Sequence, residues 1–143
     1  MKKSLENIPQ LFVRWALAIT MLSAVADRFG FWGTQSAWGN WDRFVLYTQE
    51  LLFFLPSSVV SFFAVVATAF EIFFPLMLMA GFKTRMVALG TGLLLFSFAL
   101  SMSVALGIKA PLDYSVWIGS AAAFLLSVQN EYAFSIDSLT KNK

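Results

Sequence analysis

Residues 57–82 read SSVVSFFAVVATAFEIFFPLMLMAGF, a run in which Glu71 is the one ionisable side chain before Lys83. A hydrocarbon core about 30 Å thick is crossed by roughly 20 helical residues, so this run is long enough to span a bilayer. Outward from it lie three more apolar stretches, from about Ile8 to Ala26, from Met86 to Ile108 and from about Tyr114 to Gln129. Each is near or above crossing length, and only Arg14 and Glu71 are charged within them. The pattern predicts an all-α protein: an integral membrane four-helix bundle, one domain over residues 1–143, with spans at about 8–26, 57–82, 86–108 and 114–129. Composition agrees, since 59% of residues are hydrophobic and 13% charged, and a mean hydropathy of +0.73 exceeds what a water-soluble core requires.

A net charge of +2 leaves no electrostatic footprint for nucleic acid. The sequence has neither Cys nor His, which excludes disulfides, thiol redox chemistry, Cys/His zinc sites, iron–sulfur ligation and His-ligated haem. No metal site is expected, and any redox cofactor comes from outside the chain. Lys2 and Lys3 precede an apolar run, as in a signal peptide, but Arg14 interrupts that run and no clear small-residue cleavage site follows, so the segment is read as a retained helix. Four crossings put Lys2, Lys3, Lys83, Arg85, Lys141 and Lys143 on one side and Arg28, Arg43 and Lys109 on the other. Basic residues near helix ends stay cytoplasmic, so both termini are expected inside.

The outer loop, residues 27–56, is rich in Trp and Gly before it turns amphipathic. Asn40 is suited to cap a helix starting at Trp41, with Asp42 in the positive first turn and Phe44, Val45, Thr48, Leu51, Leu52 and Leu55 at helical spacing. Such a helix either roofs the bundle or anchors in the interface. Gly81 is placed to end the second span in a tight turn that makes the second and third spans antiparallel neighbours. Gly119 and Ala123 form a small-xxx-small pair that lets backbones approach within the bundle or across a homo-oligomer contact.

Charges at bilayer depth are costly, so Arg14 and Glu71 carry most of the functional information. Counting from the inner helix ends, their backbones differ in depth by roughly 7 or 8 Å, a gap that a long Arg side chain narrows. The expectation is that they pair across the first two spans or line a polar pocket together. A buried pair that only fixes helix register accounts for the same residues, as does Arg14 snorkelling to the headgroups with Glu71 left neutral. Pro75, four residues after Glu71, has no N–H for the Glu71 carbonyl and predicts a kink there. A second cluster, Asp27, Arg28, Lys109 and Asp113 with Trp38, Trp41 and Tyr114, is expected at the outer mouth, as a polar entrance or as interfacial anchoring with weak surface pairs.

Taken in order along nearly the whole chain, these features resemble the DoxX-like family of small bacterial membrane proteins. The resemblance rests on Arg14, SAVADRFG at 23–30, WGNW at 38–41, Glu71 followed by GFKTR at 81–85, GIKAPLDYS at 107–115 and FSID at 134–137. It implies four membrane helices in the bacterial cytoplasmic membrane, a quinone or another lipid-like molecule as ligand, and a redox partner protein; whether the chain itself is catalytic is left open. The ligand-binding set expected from the buried charges and the outer-mouth cluster is Arg14, Glu71, Asp27, Arg28, Trp41, Asp113 and Tyr114. A membrane scaffold or assembly factor is the alternative, and a small-solute transporter rests on the mid-membrane carboxylate alone.

Overall fold

The computed structural model describes residues 2–141, with side chains from 7 to 140. Lys2, Lys3, Lys141 and Lys143, which entered the orientation argument, have side chains outside the described residues. The helices are α1 (Lys2–Arg28), α2 (Trp41–Leu51), α3 (Ser57–Ala80), α4 (Thr84–Leu106), α5 (Lys109–Asp113), α6 (Val116–Ser127) and α7 (Ile136–Lys141), with a 3-10 turn at Gly33–Gln35. No strand occurs among the described residues. Asn7–Arg28 of α1, α3 and α4 are each long and apolar enough to cross a membrane. Exposed side chains such as Phe12, Ile19, Phe62, Val65, Leu100 and Leu125 cover the outside, an arrangement suited to lipid and not to water.

The fourth span corrects the expectation for residues 114–129. In place of one crossing helix, α6 has 12 residues, about 18 Å at 1.5 Å per residue, against a core of about 30 Å. The break has a local cause, because Ser115 adopts φ +56° between α5 and α6, a left-handed conformation that interrupts a helix of L-residues. The return passage is completed by α5 at one end and by the segment after Ser127 at the other, which brings the Asp137 N–H to the Gly81 carbonyl at 3.0 Å.

Helix α3 continues through Pro75, which is buried on the same face as Val60, Ala64, Thr68, Glu71 and Leu78. That three-to-four-residue spacing is one stripe of a helix, turned inward. α1 packs mainly on α3, and α4 mainly on α6. Small residues set the second contact: Ser120 donates to the Gly92 carbonyl at 2.9 Å, and a side chain at 92 would strike the Phe124 ring. The small-residue stripe is therefore used inside the bundle. Leu17, Ala18, Leu78, Val87, Ala123 and Leu126 join the two pairs in one core.

The α3–α4 turn depends on Gly81, which ends α3 at φ +67°. Its N–H bonds to Leu78 and that of Phe82 to Met77, which satisfies carbonyls that a helix end leaves open. A Cβ at this position would also run into Ser135 and the Arg14 guanidinium. The loop from α1 to α2 closes on itself at Gly30, where a Cβ would sit 2.6 Å from the Gly39 carbonyl oxygen.

Candidate functional site

Thr68 and Glu71 stand three residues apart on the inward stripe of α3 and face the last residue of α1. Arg28 donates from Nη1 to Thr68 Oγ1 at 2.7 Å and from Nη2 to Glu71 Oε2 at 2.5 Å. Arg28 and Glu71 are each 3% exposed, so the pair is desolvated at a depth where an isolated charge costs several kcal/mol. Two donors remain. Arg28 Nε is buried without a partner, and Thr68 Oγ1, which accepts from Arg28, keeps its own proton to give.

Above this pair sits α2. Asn40 Oδ1 accepts the Arg43 N–H at 2.9 Å, starting the helix as an N-cap does. Phe44 and Thr48 are its buried residues, and the Phe44 ring centroid lies 3.9 Å from Arg28 Cζ, with the Trp38 ring at 5.6 Å. Both distances fall within cation–π reach. Trp41 stacks on Phe29 at 6.0 Å and meets Phe44 at 5.5 Å. The roof reading of the loop helix is thus the one realised.

Asp27 holds the roof in place. Its carboxylate accepts the N–H groups of Ala37 at 2.7 Å, Trp38 at 2.8 Å and Gly39 at 3.3 Å. Adjacent residues at the end of α1 therefore divide the work: Arg28 turns into the bundle and Asp27 ties down the loop that covers it.

Arg14 does not pair with Glu71, which corrects the expectation. It is fully buried and donates from Nε to the Leu78 carbonyl at 2.9 Å, from Nη1 to Ala133 at 2.7 Å and from Nη2 to Met79 at 3.2 Å and Phe134 at 3.5 Å. α1 and α3 run antiparallel, so Arg14 meets α3 seven residues from Glu71, about 10 Å along the axis. Its partners are the last carbonyls of α3, of which that of Leu78 also accepts the Gly81 N–H, and the non-helical carbonyls of the returning tail, groups for which a side-chain donor counts at membrane depth. Asp137 completes this junction, accepting the N–H groups of Lys83 and Thr84, each at 2.7 Å.

The expected outer mouth does not assemble as one cluster. Lys109 and Asp113 pair with each other on the exposed surface of α5, and Tyr114 is 75% exposed. Burial, then the electrostatic influence of Tyr114 and of Glu50, raises the Tyr47 phenol above its ordinary value, and Tyr47 in turn packs on Trp38 at 5.4 Å. Asp113, paired with Lys109, stands apart from the Arg28–Glu71 pair. Among the described residues no group of three Asp, Glu, His or Cys is placed to hold a metal.

The DoxX family profile matches residues 10–104, more than half of the chain. The chain belongs to the DoxX family. No curated protein and no solved structure matches it. In this DoxX chain the matched region contains Arg14, Asp27, Arg28, the whole of α2, Thr68 and Glu71, and it stops before the tail that Arg14 and Asp137 hold. The sequence reading missed Thr68 and the contact of Phe44 with Arg28. Thr68 carried a signal, its three-residue spacing from Glu71; Phe44 carried only its place on the apolar face of α2, which does not name the charge beneath it.

Proposed function

We propose that this DoxX-family protein is a small-molecule-binding subunit of a membrane redox complex, taking a quinone or similar lipid-like head group at Arg28, Thr68 and Glu71 beneath α2. One observation supports this most: a buried guanidinium keeps an unpartnered Nε–H beside the Thr68 hydroxyl. Unpartnered donors in a dry site cost free energy, and a carbonyl oxygen is the acceptor that satisfies them without adding charge to a pair that is already neutral. Glu71 balances Arg28 and is the group able to hold a proton beside the bound head. With no Cys or His to hold a carrier, electrons come from the partner protein. Entry requires α2 to lift, since Phe44 and Trp38 cover the pair.

The same reading sets the protein in the bacterial cytoplasmic membrane with both termini inside. Exposed Lys83 and Arg85 at the α3–α4 turn, the end to which the tail returns, support that orientation. A non-catalytic scaffold is the second reading, supported by how fully Arg28 and Glu71 neutralise each other. Mass spectrometry of gently purified protein separates the two. A stoichiometric quinone-like molecule, lost in Glu71→Gln, is expected; an empty bundle with a co-purifying protein contradicts the binding reading and supports the scaffold.

A further inference from the structure

The two helix pairs meet along the α3–α4 seam, and a groove of about 240 Å³ opens there, lined by Phe70, Phe74, Gly90, Leu93, Leu94 and Ser97. It is mostly apolar, and the Ser97 hydroxyl is turned to its own helix, donating to the Leu93 carbonyl at 2.9 Å. Gly90 forms part of its floor, since a Cβ there would lie 2.8 Å from the Phe74 ring. Along α4 the groove runs from Gly90 to Ser97, about 9 to 20 Å from the helix start. One leaflet contributes about 15 Å of hydrocarbon. The near half of the groove thus lies in the leaflet that begins at the α3–α4 turn, and its far end passes the bilayer centre.

At the foot of the seam stands Lys83, exposed and with no ion pair among the described residues. Its backbone is fixed, since its N–H is held by Asp137, so the side chain leaves the protein at a defined point. We propose that the α3–α4 seam binds one phospholipid with an anionic head group, its acyl chain in the groove and its phosphate at Lys83. The site is separate from the Arg28–Glu71 pair. Charge at the foot and apolar length above it fit a lipid whose chain enters from the turn, and Lys83, with exposed Arg85 beside it, favours an anionic head.

The test uses the full chain in mild detergent with equimolar phosphatidylglycerol and phosphatidylcholine of matched chains, read by native mass spectrometry. One retained lipid per chain is expected, with phosphatidylglycerol preferred about fivefold, the size of effect of one basic side chain near an anionic surface. Ser97→Trp fills the groove from an exposed position and loses the lipid; Leu93→Trp, from the same exposed rim, gives the same loss. Lys83→Gln keeps a lipid but lowers the preference about fivefold. Equal lipid retention in wild type and both Trp variants, or no head-group preference in wild type, overturns the proposal. The Trp and Lys83 variants leave Arg28, Thr68 and Glu71 in place, which keeps this test distinct from that of the proposed function.

Discussion

Arg28 closes α1 and reaches back along α3, so that its Nη2 stands 2.5 Å from Glu71 Oε2 with the Phe44 ring 3.9 Å above its Cζ. This relation joins three elements, the end of α1, the inward stripe of α3 and the apolar face of α2. A charge pair in a dry interior is held by geometry, and truncating one partner leaves the other uncompensated. The aromatic roof adds a second attraction that has no competitor from water.

Phe44→Leu keeps apolar volume but removes the ring face from the guanidinium. A loss of about 2 kcal/mol is expected, the upper range for a desolvated cation–π contact, measured by thermal unfolding in detergent. Leu46→Ala, on the exposed side of the same helix, serves as the control and shifts the midpoint little.

Arg14→Lys retains the charge but not the fork. One ammonium cannot reach carbonyls of Leu78, Met79, Ala133 and Phe134 together, and each buried carbonyl left open costs about 1–3 kcal/mol. Hydrogen exchange over residues 131–138 is expected to rise by an order of magnitude or more while that of the core of α4 changes less. Unchanged protection of the tail removes Arg14 from its role as the clamp.

Asp137 makes the same junction dependent on pH. Burial pushes its carboxyl up, but Thr84, the Lys83 amide and the Arg14 charge outweigh burial and hold it below the usual carboxylate range. A folded-state pKa below the unfolded value of about 3.9 means that the stabilisation is present above that value and is lost as pH falls through the folded one. Tail protection is expected to stay level from about pH 7 to pH 5 and to fall below about pH 4. Asp137→Asn lowers it by about 1 kcal/mol, as for a lost cap, and flattens the acid limb.

The spans on either side of residues 57–82 were legible because apolar length reports directly on burial in lipid, and the Asn40 and Gly81 caps were legible because each is a local backbone requirement. The partners of the two buried arginines were not. Counting depth from helix ends assumes that α1 and α3 start and stop together, yet α1 ends at Arg28, which meets Thr68 and Glu71 well inside α3, and the outer stretch of α3 packs on α2 instead. Arg14 was assigned a carboxylate because sequence marks carboxylates. Its real partners are backbone carbonyls, which every residue carries and no residue name reveals. The short α6 was hidden because residues 114–129 read as one apolar stretch, whereas Ser115 turns left-handed at φ +56° and the helix ends at Ser127.

The account stands on Glu71 being neutralised by Arg28, and a pair of double-mutant cycles measures that directly. Unfolding free energies are compared for Arg28→Met, Glu71→Met and the double variant, and for Arg14→Met, Glu71→Met and their double. The predicted result is a coupling of about 2–3 kcal/mol between Arg28 and Glu71, with the double variant more stable than Arg28→Met alone, and a coupling within about 0.5 kcal/mol between Arg14 and Glu71. Strong coupling of Arg14 to Glu71 with none from Arg28 contradicts it.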